Sequence, residues 1–522
     1  MIFIFYFLIF CTNSFILRSQ TTPWYYHTTI YQIYPRSFYD SDDDGIGDIA
    51  GIIQKLDYLK NLGVETIWLS PVFYSPQADF GYDISNYLDV APEYGAMKDM
   101  EKLINEVHQR GMKIILDLVM NHTSMEHSWF QSDVNRPSDQ RGQDKDFYVW
   151  RDRPNNWKNA LGKRAWHYHP LRRQYYYAAF LPFQPDLNYH NPQVRQAMLD
   201  VARFWLEKGV DGFRLDLFNY IFEDSLFRNN PCSLNPITGF QKPRFTRDRD
   251  ATFRLAEDLR QLCQQYGPKM LLGEVVGPLS VVKRYVGDAQ RPRLTHAFYF
   301  EMLRFRFSAR YFEKLLRTLD TAFPPPLTPV YAFSNHDRRR MLSRLHKDTR
   351  KARLVHAVQF LARGIPCLYY GEEIGMTDSR FPYRKSLDPL PRYLKIPRFI
   401  VSLFGETTNR DEVRTPMLWN SGPHAGFTKA SKPWLPIHGQ DNRHNVASAL
   451  SDSSSLFYFI QTLIQHRRPD QPLQIERQGP VLRLNNALLN FSKKKRPFYL
   501  VGTAQSQKVF VPPISVTWLN NK

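Results

Sequence analysis

Cysteine is scarce in this sequence of 522 residues, and internal repeats are lacking. The four cysteines, Cys11, Cys232, Cys263 and Cys367, do not indicate a disulfide framework, and a Cys232–Cys263 bridge is the single pairing left open. No self-similarity occurs at solenoid periods, and there is no low-complexity tract. These absences argue against a disulfide-rich domain and a repeat protein. The composition, 43% hydrophobic and 15% aromatic, instead predicts a large buried core and more than one domain.

Acidic residues are fewer than basic ones, but the basic residues are dispersed. The chain has 50 Asp and Glu against 69 Lys and Arg, which gives a formal net charge of +19. The single dense basic run is Lys493–Arg496, whereas a nucleic-acid-binding surface concentrates its charge on one face. We therefore interpret the excess charge as a solvated basic surface and predict no nucleic-acid partner.

The N-terminus is the most apolar stretch of the chain. Its first ten residues, MIFIFYFLIF, have the length of a signal-peptide core, and a polar break at residues 11–14 disfavours a spanning helix. We expect residues 1–20 to be a cleaved signal peptide of a secreted or luminal protein, with a membrane anchor as the second choice. Membrane contact is expected only if this segment is not cleaved.

Short apolar runs alternate with amphipathic helical patterns along most of the chain. Eight runs predict strands, at 28–34, 64–70, 113–119, 211–217, 269–275, 295–301, 329–335 and 366–372. Helical patterns lie between them, for example at 97–110, 192–208, 250–265 and 346–363. Eight strands interleaved with helices predict an α/β protein whose parallel sheet closes into a (β/α)8 TIM barrel.

Two segments depart from this alternation. Residues 123–190 are rich in aromatic, Pro, Asn and Arg residues without a clear helix, and they predict a domain B inserted after the third strand. Residues 472–522 show short strand patterns, which predict a C-terminal antiparallel β domain, domain C. The barrel, domain A, then comprises residues 21–122 and 191–471.

Polar side chains follow four of the predicted strands. The third strand is followed by Asp117, Asn121 and His122, the fourth carries Arg214 and Asp216, the fifth ends at Glu274, and the seventh ends at His336 and Asp337. The C-terminal ends of barrel strands meet at one mouth. We therefore expect Asp216, Glu274 and Asp337 to share a pocket, although each alone could equally be a surface or structurally paired carboxylate.

Three carboxylates in one pocket repel each other, so their pKa values must differ. Glu274 has apolar neighbours in sequence, which raise a carboxyl pKa, and it is the candidate proton donor. Arg214 lies two residues from Asp216, and because a nearby guanidinium favours a carboxylate, we expect Asp216 to stay ionised and to act as the nucleophile. One neutral acid and one ionised nucleophile are what retaining glycoside hydrolysis requires, and His122 and His336 can donate hydrogen bonds to sugar hydroxyls.

Five ordered motifs resemble the α-amylase superfamily, glycoside hydrolase family 13. They are DLVMNHTS, QPDLN (184–188), GFRLDLFN, LLGEVVG and FSNHD, and the form of QPDLN is similar to that of the α-glucosidase and oligo-1,6-glucosidase branch. The resemblance extends over nearly the whole chain from about Tyr25. It implies an exo-acting, retaining α-glucosidase that removes terminal α-1,4- or α-1,6-linked glucose from di- and oligosaccharides without an organic cofactor.

The resemblance also implies a role for each site residue. Asp216 would be the nucleophile, Glu274 the acid/base and Asp337 the transition-state stabiliser. The residues implied to bind the reacting glucose are His122, Arg214, His336, Tyr82 as a stacking platform, and Asp79 with Arg410 at the non-reducing end.

The acidic loop DSDDDGIGD predicts a structural Ca²⁺ or Mg²⁺ site, because clustered carboxylates on a tight loop suit a hard cation. The resemblance implies ligation by the side chains of Asp40, Asp42, Asp44 and Asp48 and by the carbonyl of Ile46. A solvated acidic turn is the alternative.

Several properties stay open at the level of sequence. Leu217, which follows the nucleophile, does not indicate a preference between α-1,4 and α-1,6 linkages, and residues 377–408 have no assigned role. Hydrolysis is not separable from transglycosylation or sucrose isomerisation. A non-catalytic heavy subunit of an amino-acid transporter is the alternative of a different class, and the oligomeric state is unknown.

Overall fold

A computed structural model describes residues 22–236, 238–396, 407–437, 444–500 and 507–519. The predicted signal peptide, residues 1–20, and ten residues of the segment 377–408 lie outside this part. Cys232, Cys263 and Cys367 are free cysteines, so the Cys232–Cys263 bridge left open by the sequence is not formed.

Eight parallel strands form the central sheet. They are β1 (Ile30–Ile33), β2 (Thr66–Leu69), β3 (Lys113–Leu118), β4 (Gly212–Leu215), β5 (Met270–Gly273), β6 (His296–Ala297), β7 (Val330–Ala332) and β8 (Ile365–Tyr369). Their order is β6-β5-β4-β3-β2-β1-β8-β7, and a parallel bridge between Phe298 and Val330 joins the two edges. The sheet is thus a closed barrel, and the predicted fold is confirmed.

Helices lie between the strands. Their bounds are Ile49–Gln54, Leu56–Leu62, Met97–Gln109, Ser128–Val134, Pro192–Glu207, Asp250–Gln264, Leu279–Val286, Ala309–Ala322, Met341–Arg344, Thr349–Leu361, Pro389–Leu394, Val446–Ser451 and Leu456–His466. The four helices given as examples from sequence are confirmed to within three residues at each end. All residues of β1, β2, β4 and β5 are buried, as expected for a parallel sheet that helices cover.

The segment after β3 carries its own small sheet, in which Gln174–Tyr177 pairs with Trp150–Arg151 on one side and Trp166–His169 on the other. The expectation that this segment has no clear helix is wrong, because Ser128–Val134 is helical. Seven residues make fewer than two turns, which is too short for a 3.6-residue pattern to be visible. Phe130 of this helix stacks on Trp150 of the sheet.

The C-terminal part is antiparallel, as predicted. Four strands pair in the order Ile475–Gln478, Val481–Leu484, Ala487–Asn490 and Ser515–Trp518, and Arg496–Leu500 pairs with Gln507–Val511. Strands β6 and β7 are shorter than predicted, and after β6 the chain turns into a 3₁₀ helix at Phe300–Arg304.

Gly212 sets the spacing between β4 and β5. Its φ is +144°, and a Cβ atom there would lie 2.0 Å from the carbonyl oxygen of Met270 on β5. A side chain at this position would therefore push apart the two strands that carry Arg214 and Glu274.

We expect Gly212→Ala to lower the free energy of unfolding by about 3 kcal/mol or more, because the methyl group has to displace backbone. Urea denaturation measures the change. Gly111→Ala is the matched control, since Gly111 also has a positive φ (+67°) but no atom within 4 Å of the added Cβ, and it should lose only ~1 kcal/mol. Equal losses in the two variants would contradict the packing explanation.

Candidate active site

The guanidinium of Arg214 lies at the centre of the strand ends. Its Nη1 donates to Asp117 Oδ1 and to Asp216 Oδ1, each at 2.7 Å, and its Nη2 donates to Glu274 Oε2. Asp117 is the direct neighbour of Arg214 across the β3–β4 pair. Only 1% of the Arg214 side chain is exposed. One buried cation thus holds together three carboxylates from β3 and from the ends of β4 and β5.

Asp337 faces this group from the end of β7. Arg414 Nη2 donates to Asp337 Oδ1 at 2.9 Å, and Arg410 Nη1 lies 3.6 Å from the same oxygen. A third of the Asp337 side chain is exposed, which puts it on the open side of the site.

A chain of hydrogen bonds connects Asp337 with the Arg214 group. His336 Nε2 lies 3.3 Å from Asp337 Oδ2 and 2.7 Å from the Tyr82 hydroxyl. The Tyr82 hydroxyl donates to Asp117 Oδ2 at 2.9 Å. The ring of Tyr82 stacks on His336 with an interplanar angle of 4°. The predicted convergence of Asp216, Glu274 and Asp337 at one mouth therefore holds.

Burial raises the pKa values of two of the acids that bind Arg214. Burial raises the pKa of Glu274 well above its usual range. The positive charge of Arg214 opposes this effect, and the negative charges of Asp216 and Asp337 reinforce it. Burial also raises the pKa of Asp117, to about 7. The raised pKa favours the protonated form of Glu274, which is the form that a proton donor requires.

Asp337 shifts in the opposite direction. Burial by itself would raise the pKa of Asp337, but its contact with His336 and the positive charges of Arg410 and Arg414 hold it well below its usual range. Asp337 is therefore a carboxylate at neutral pH.

The two histidines of the site are neutral, because burial lowers the pKa of His122 to about 4 and that of His336 to about 3. His122 Nε2 lies 3.1 Å from the carbonyl oxygen of Tyr82, and Gln32 Nε2 lies 2.8 Å from His336 Nδ1. These contacts fix the orientation of both rings.

Asp79 and Arg410 form a buried pair beside Asp337. Arg410 Nη2 donates to Asp79 Oδ1, and Gln184 Nε2 donates to Asp79 Oδ2 at 3.1 Å. Asp79 and Arg410 are 6% and 8% exposed, so that this side of the site is closed by side chains.

Asp388 is a member of the site that the sequence did not reveal. Its Oδ1 accepts from Arg410 Nη2 at 2.7 Å, and its Oδ2 accepts from the Arg410 backbone N–H at 2.6 Å. The same Oδ1 caps the helix Pro389–Leu394 by accepting from the N–H of Leu390. An Asp–Pro pair at a helix start was the visible signal, but nothing in the sequence connected it with Arg410.

Leu217 follows Asp216 in a strained conformation. Its φ of +38° is left-handed, which is unusual for a branched side chain. Its N–H points to Glu274 Oε2 at 3.4 Å, and the N–H of Phe218 donates to the Glu274 carbonyl at 2.9 Å. The turn ties the end of β4 to the end of β5.

In the acidic loop, Asp40, Asp42 and Asp48 each offer a carboxylate oxygen within 4.8 Å of the others. Asp44 lies outside this group and accepts from the backbone N–H of Ile46 at 2.6 Å. Asp40 accepts from the N–H groups of Asp42, Asp43 and Gly45. The structure thus brings together three of the four predicted carboxylate ligands.

Several known proteins are similar to this chain in sequence and fold. The family model "Alpha amylase, catalytic domain" matches residues 32–475. The oligo-1,6-glucosidase of Parageobacillus thermoglucosidasius is 37% identical over 480 residues, which cover 85% of this chain and 84% of that protein. The α-glucosidase of Apis mellifera is 35% identical over 479 residues, covering 89% and 82%. The crystal structure of XgtA, an alpha-glucosyl transfer enzyme, is 34% identical, has a TM-score of 0.85 and covers 95% of this chain and 99% of its own.

The chain belongs to the α-amylase family of glycoside hydrolases, family 13. The predicted branch, that of α-glucosidases and oligo-1,6-glucosidases, is confirmed by these relatives. The protein is therefore an enzyme, and the non-catalytic alternative loses its support. The roles of individual residues stay predictions that rest on the geometry above.

We expect Asp388→Asn to raise KM for a glucoside about tenfold with a smaller change in kcat, because Arg410 loses a charged anchor while asparagine keeps the helix cap. Steady-state kinetics measure both constants. Asp348→Asn is the control, since Asp348 caps the helix Thr349–Leu361 through the N–H of Arg350, away from the residues of the site. An unchanged KM in a folded Asp388→Asn protein would contradict this positioning role.

Proposed function

We propose that the protein is an exo-acting, retaining α-glucosidase that hydrolyses terminal α-linked glucose of di- and oligosaccharides. One observation carries this proposal: Asp216 and Glu274 bind the same guanidinium, that of Arg214, and Asp337 lies opposite them. The shared guanidinium keeps the two carboxyl groups close together, which is typical of retaining rather than inverting enzymes.

In the first step, Asp216 attacks the anomeric carbon while Glu274 donates its proton to the glycosidic oxygen. The bond to the leaving sugar breaks, and a covalent glucosyl ester of Asp216 forms. Arg214 orients both carboxyl groups for this step. The ionised Asp337 stabilises the positive charge that develops on the sugar ring.

In the second step, the deprotonated Glu274 takes a proton from water, and the resulting nucleophile attacks the anomeric carbon. The ester breaks, Asp216 leaves as a carboxylate, and glucose is released with its α configuration retained. Contacts with Tyr82 and Gln32 fix the neutral rings of His122 and His336, which line the site around the glucose.

The exo specificity rests on the closed end of the site. The buried pair of Asp79 and Arg410, held by Gln184 and Asp388, leaves no path for a chain to extend past the non-reducing end. Only a terminal glucose can then occupy the position between Asp216 and Glu274.

We expect Asp216→Asn to lower kcat on a chromogenic α-glucoside at least ~10³-fold, because an amide cannot form the glucosyl ester. Asp200→Asn on the protein surface is the control and should retain full activity. Circular dichroism melting establishes that both variants are folded. Normal turnover by a folded Asp216→Asn protein would refute the proposal.

Transfer of glucose to a sugar hydroxyl is a second candidate activity, because the solved structure that resembles this chain at a TM-score of 0.85 is a glucosyl transfer enzyme. The chemistry of the first step is the same, and an acceptor sugar replaces water in the second. A product profile over maltose, isomaltose, sucrose and trehalose separates transfer from hydrolysis and also gives the linkage preference.

We propose a structural Ca²⁺ or Mg²⁺ at the acidic loop. The donor set supports it, since three carboxylates that approach within 4.8 Å repel each other unless a cation lies between them. Partial burial and the charges of Asp44 and Asp48 raise the pKa of Asp42, which is the effect of this repulsion. Asp40, Asp42 and Asp48 would hold the ion, and its contribution is to stabilise the loop.

We expect EDTA to lower the melting temperature, because an ion bound only by the folded state at 100 times its Kd contributes about 2.7 kcal/mol. Differential scanning fluorimetry with and without Ca²⁺ measures the shift. Asp42→Asn should melt at a temperature that EDTA does not change. An EDTA-insensitive wild-type protein would remove the metal from the proposal.

Secretion by way of residues 1–20 stays a prediction, because this segment lies outside the described residues. In the described ranges between residues 22 and 519, none of the helices has the length and apolarity needed to cross a membrane.

A further inference from the structure

The ring of His336 lies between Gln32 of β1 and the hydroxyl of Tyr82. Gln32 Nε2 is 2.8 Å from His336 Nδ1, and the Tyr82 oxygen is 2.7 Å from His336 Nε2. A neutral imidazole has one proton, which is bound to either of its two nitrogen atoms. We propose that Gln32 is a positioning residue that holds this proton on Nε2 of His336, where it faces Asp337. The inference rests on the proposed role of Asp337 in hydrolysis.

The hydroxyl of Tyr82 determines which ring nitrogen is the donor. Its single proton is donated to Asp117 Oδ2 at 2.9 Å. Arg214 Nη1 and Trp68 Nε1 also contact the Asp117 oxygens, at 2.7 and 3.2 Å, and both groups can only donate. An ionised Asp117 therefore accepts all three hydrogen bonds. The Tyr82 oxygen then has only lone pairs directed at His336, so that Nε2 of the ring has to carry the proton.

Gln32 meets the same requirement on the other side of the ring. With the proton on Nε2, His336 Nδ1 is an acceptor, and the Gln32 amide nitrogen donates to it as well as to Ser70 Oγ at 3.1 Å. Gln32 Oε1 has no hydrogen-bond partner in the described ranges, but a rotated amide would leave its nitrogen unpaired instead. Rotation would also place Oε1 against the bare Nδ1, and two acceptors repel each other. The amide orientation therefore matches the proton position that Tyr82 imposes.

The position of this proton matters for Asp337. His336 Nε2 lies 3.3 Å from Asp337 Oδ2, so that an N–H at Nε2 directs the positive end of its dipole towards the carboxylate. In the other tautomer, a lone pair would face the same oxygen. The ring does not carry both protons, because burial lowers the pKa of His336 to about 3. Gln32 therefore acts on Asp337 through His336 without contacting the substrate.

A second buried pair of glutamine and histidine has the opposite arrangement. Gln359 Nε2 donates to the carbonyl oxygens of Tyr331 and Cys367, each at 2.9 Å, which fixes the orientation of the amide. Its Oε1 therefore faces His356 Nδ1, at 3.0 Å. His356 is neutral, because burial lowers its pKa to about 4, and its proton has to lie on Nδ1. The same two side chains thus select opposite tautomers, according to which amide atom faces the ring.

Neutron diffraction from crystals of the deuterated full chain, grown without substrate at about pH 8, locates these protons directly. Asp117 is a carboxylate at this pH, because its pKa is about 7. We expect deuterium on Nε2 of His336 and on Nδ1 of His356. His122 is a second reference in the same map, since its Nε2 faces the carbonyl oxygen of Tyr82 and has to carry the proton. Deuterium on Nδ1 of His336, alone or together with Nε2, would overturn the inference.

Two substitutions of Gln32 test its part in this arrangement. Gln32→Glu replaces the donor by an acceptor, so that deuterium should appear on Nδ1 of His336 in the map of this variant. Gln32→Met removes the donor at similar volume. We expect it to lower kcat about tenfold, the effect of one lost hydrogen bond, with a smaller change in KM, because Asp337 acts on the transition state.

Gln359→Met is the matched control for the kinetics. It also removes a buried glutamine that faces a histidine, but the hydrogen bonds of Gln359 are made to His356, Tyr331 and Cys367. This variant should retain the wild-type kcat, and circular dichroism melting establishes that both methionine variants are folded. A folded Gln32→Met protein with unchanged kcat would overturn the positioning role.

The proton positions are measured without turnover, so that failure of this inference and failure of the hydrolytic function are observed separately. Full activity of a folded Asp216→Asn protein would refute the hydrolytic mechanism even if the deuterium lies on Nε2 of His336.

Discussion

The structure depends on the charge balance around Arg214. One buried guanidinium binds the carboxyl groups of Asp117, Asp216 and Glu274, and three full negative charges against one positive charge would be unstable without solvent. The raised pKa values of Glu274 and Asp117 resolve this excess, because protonation removes charge where burial is deepest. The excess of negative charge therefore favours a protonated Glu274 beside the carboxyl group of Asp216.

The charged groups around Asp337 are arranged differently. Arg410 and Arg414 both approach Asp337, and Asp388 and Asp79 hold Arg410. Two cations keep Asp337 ionised, whereas one shared cation leaves Glu274 protonated. The pocket is thus divided into a proton-donating side at the ends of β4 and β5 and an anionic side at the end of β7, which is the asymmetry that cleavage of a glycosidic bond requires.

Most of the fold and the central acids could be predicted from the sequence, because strands followed by helices have visible periods and a barrel brings strand ends together. Glu274 and Asp337 were expected at one mouth, and they are there. Asp388 could not be predicted, since it lies 22 residues from Arg410 and no periodic pattern in the sequence relates the two. The helix Ser128–Val134 was missed because a helix of fewer than two turns has no clear period.

A short contact between β6 and β7, called the seam below, closes the barrel. Strand β6 has two residues and β7 has three, and the bridge between Phe298 and Val330 joins the two sheet edges. Glu274 lies on one side of this seam and Asp337 on the other. If the strands at the seam separate, Glu274 moves away from Asp337 while the other strand pairs stay intact. Heating would then inactivate the enzyme at a lower temperature than the one at which the rest of the barrel unfolds.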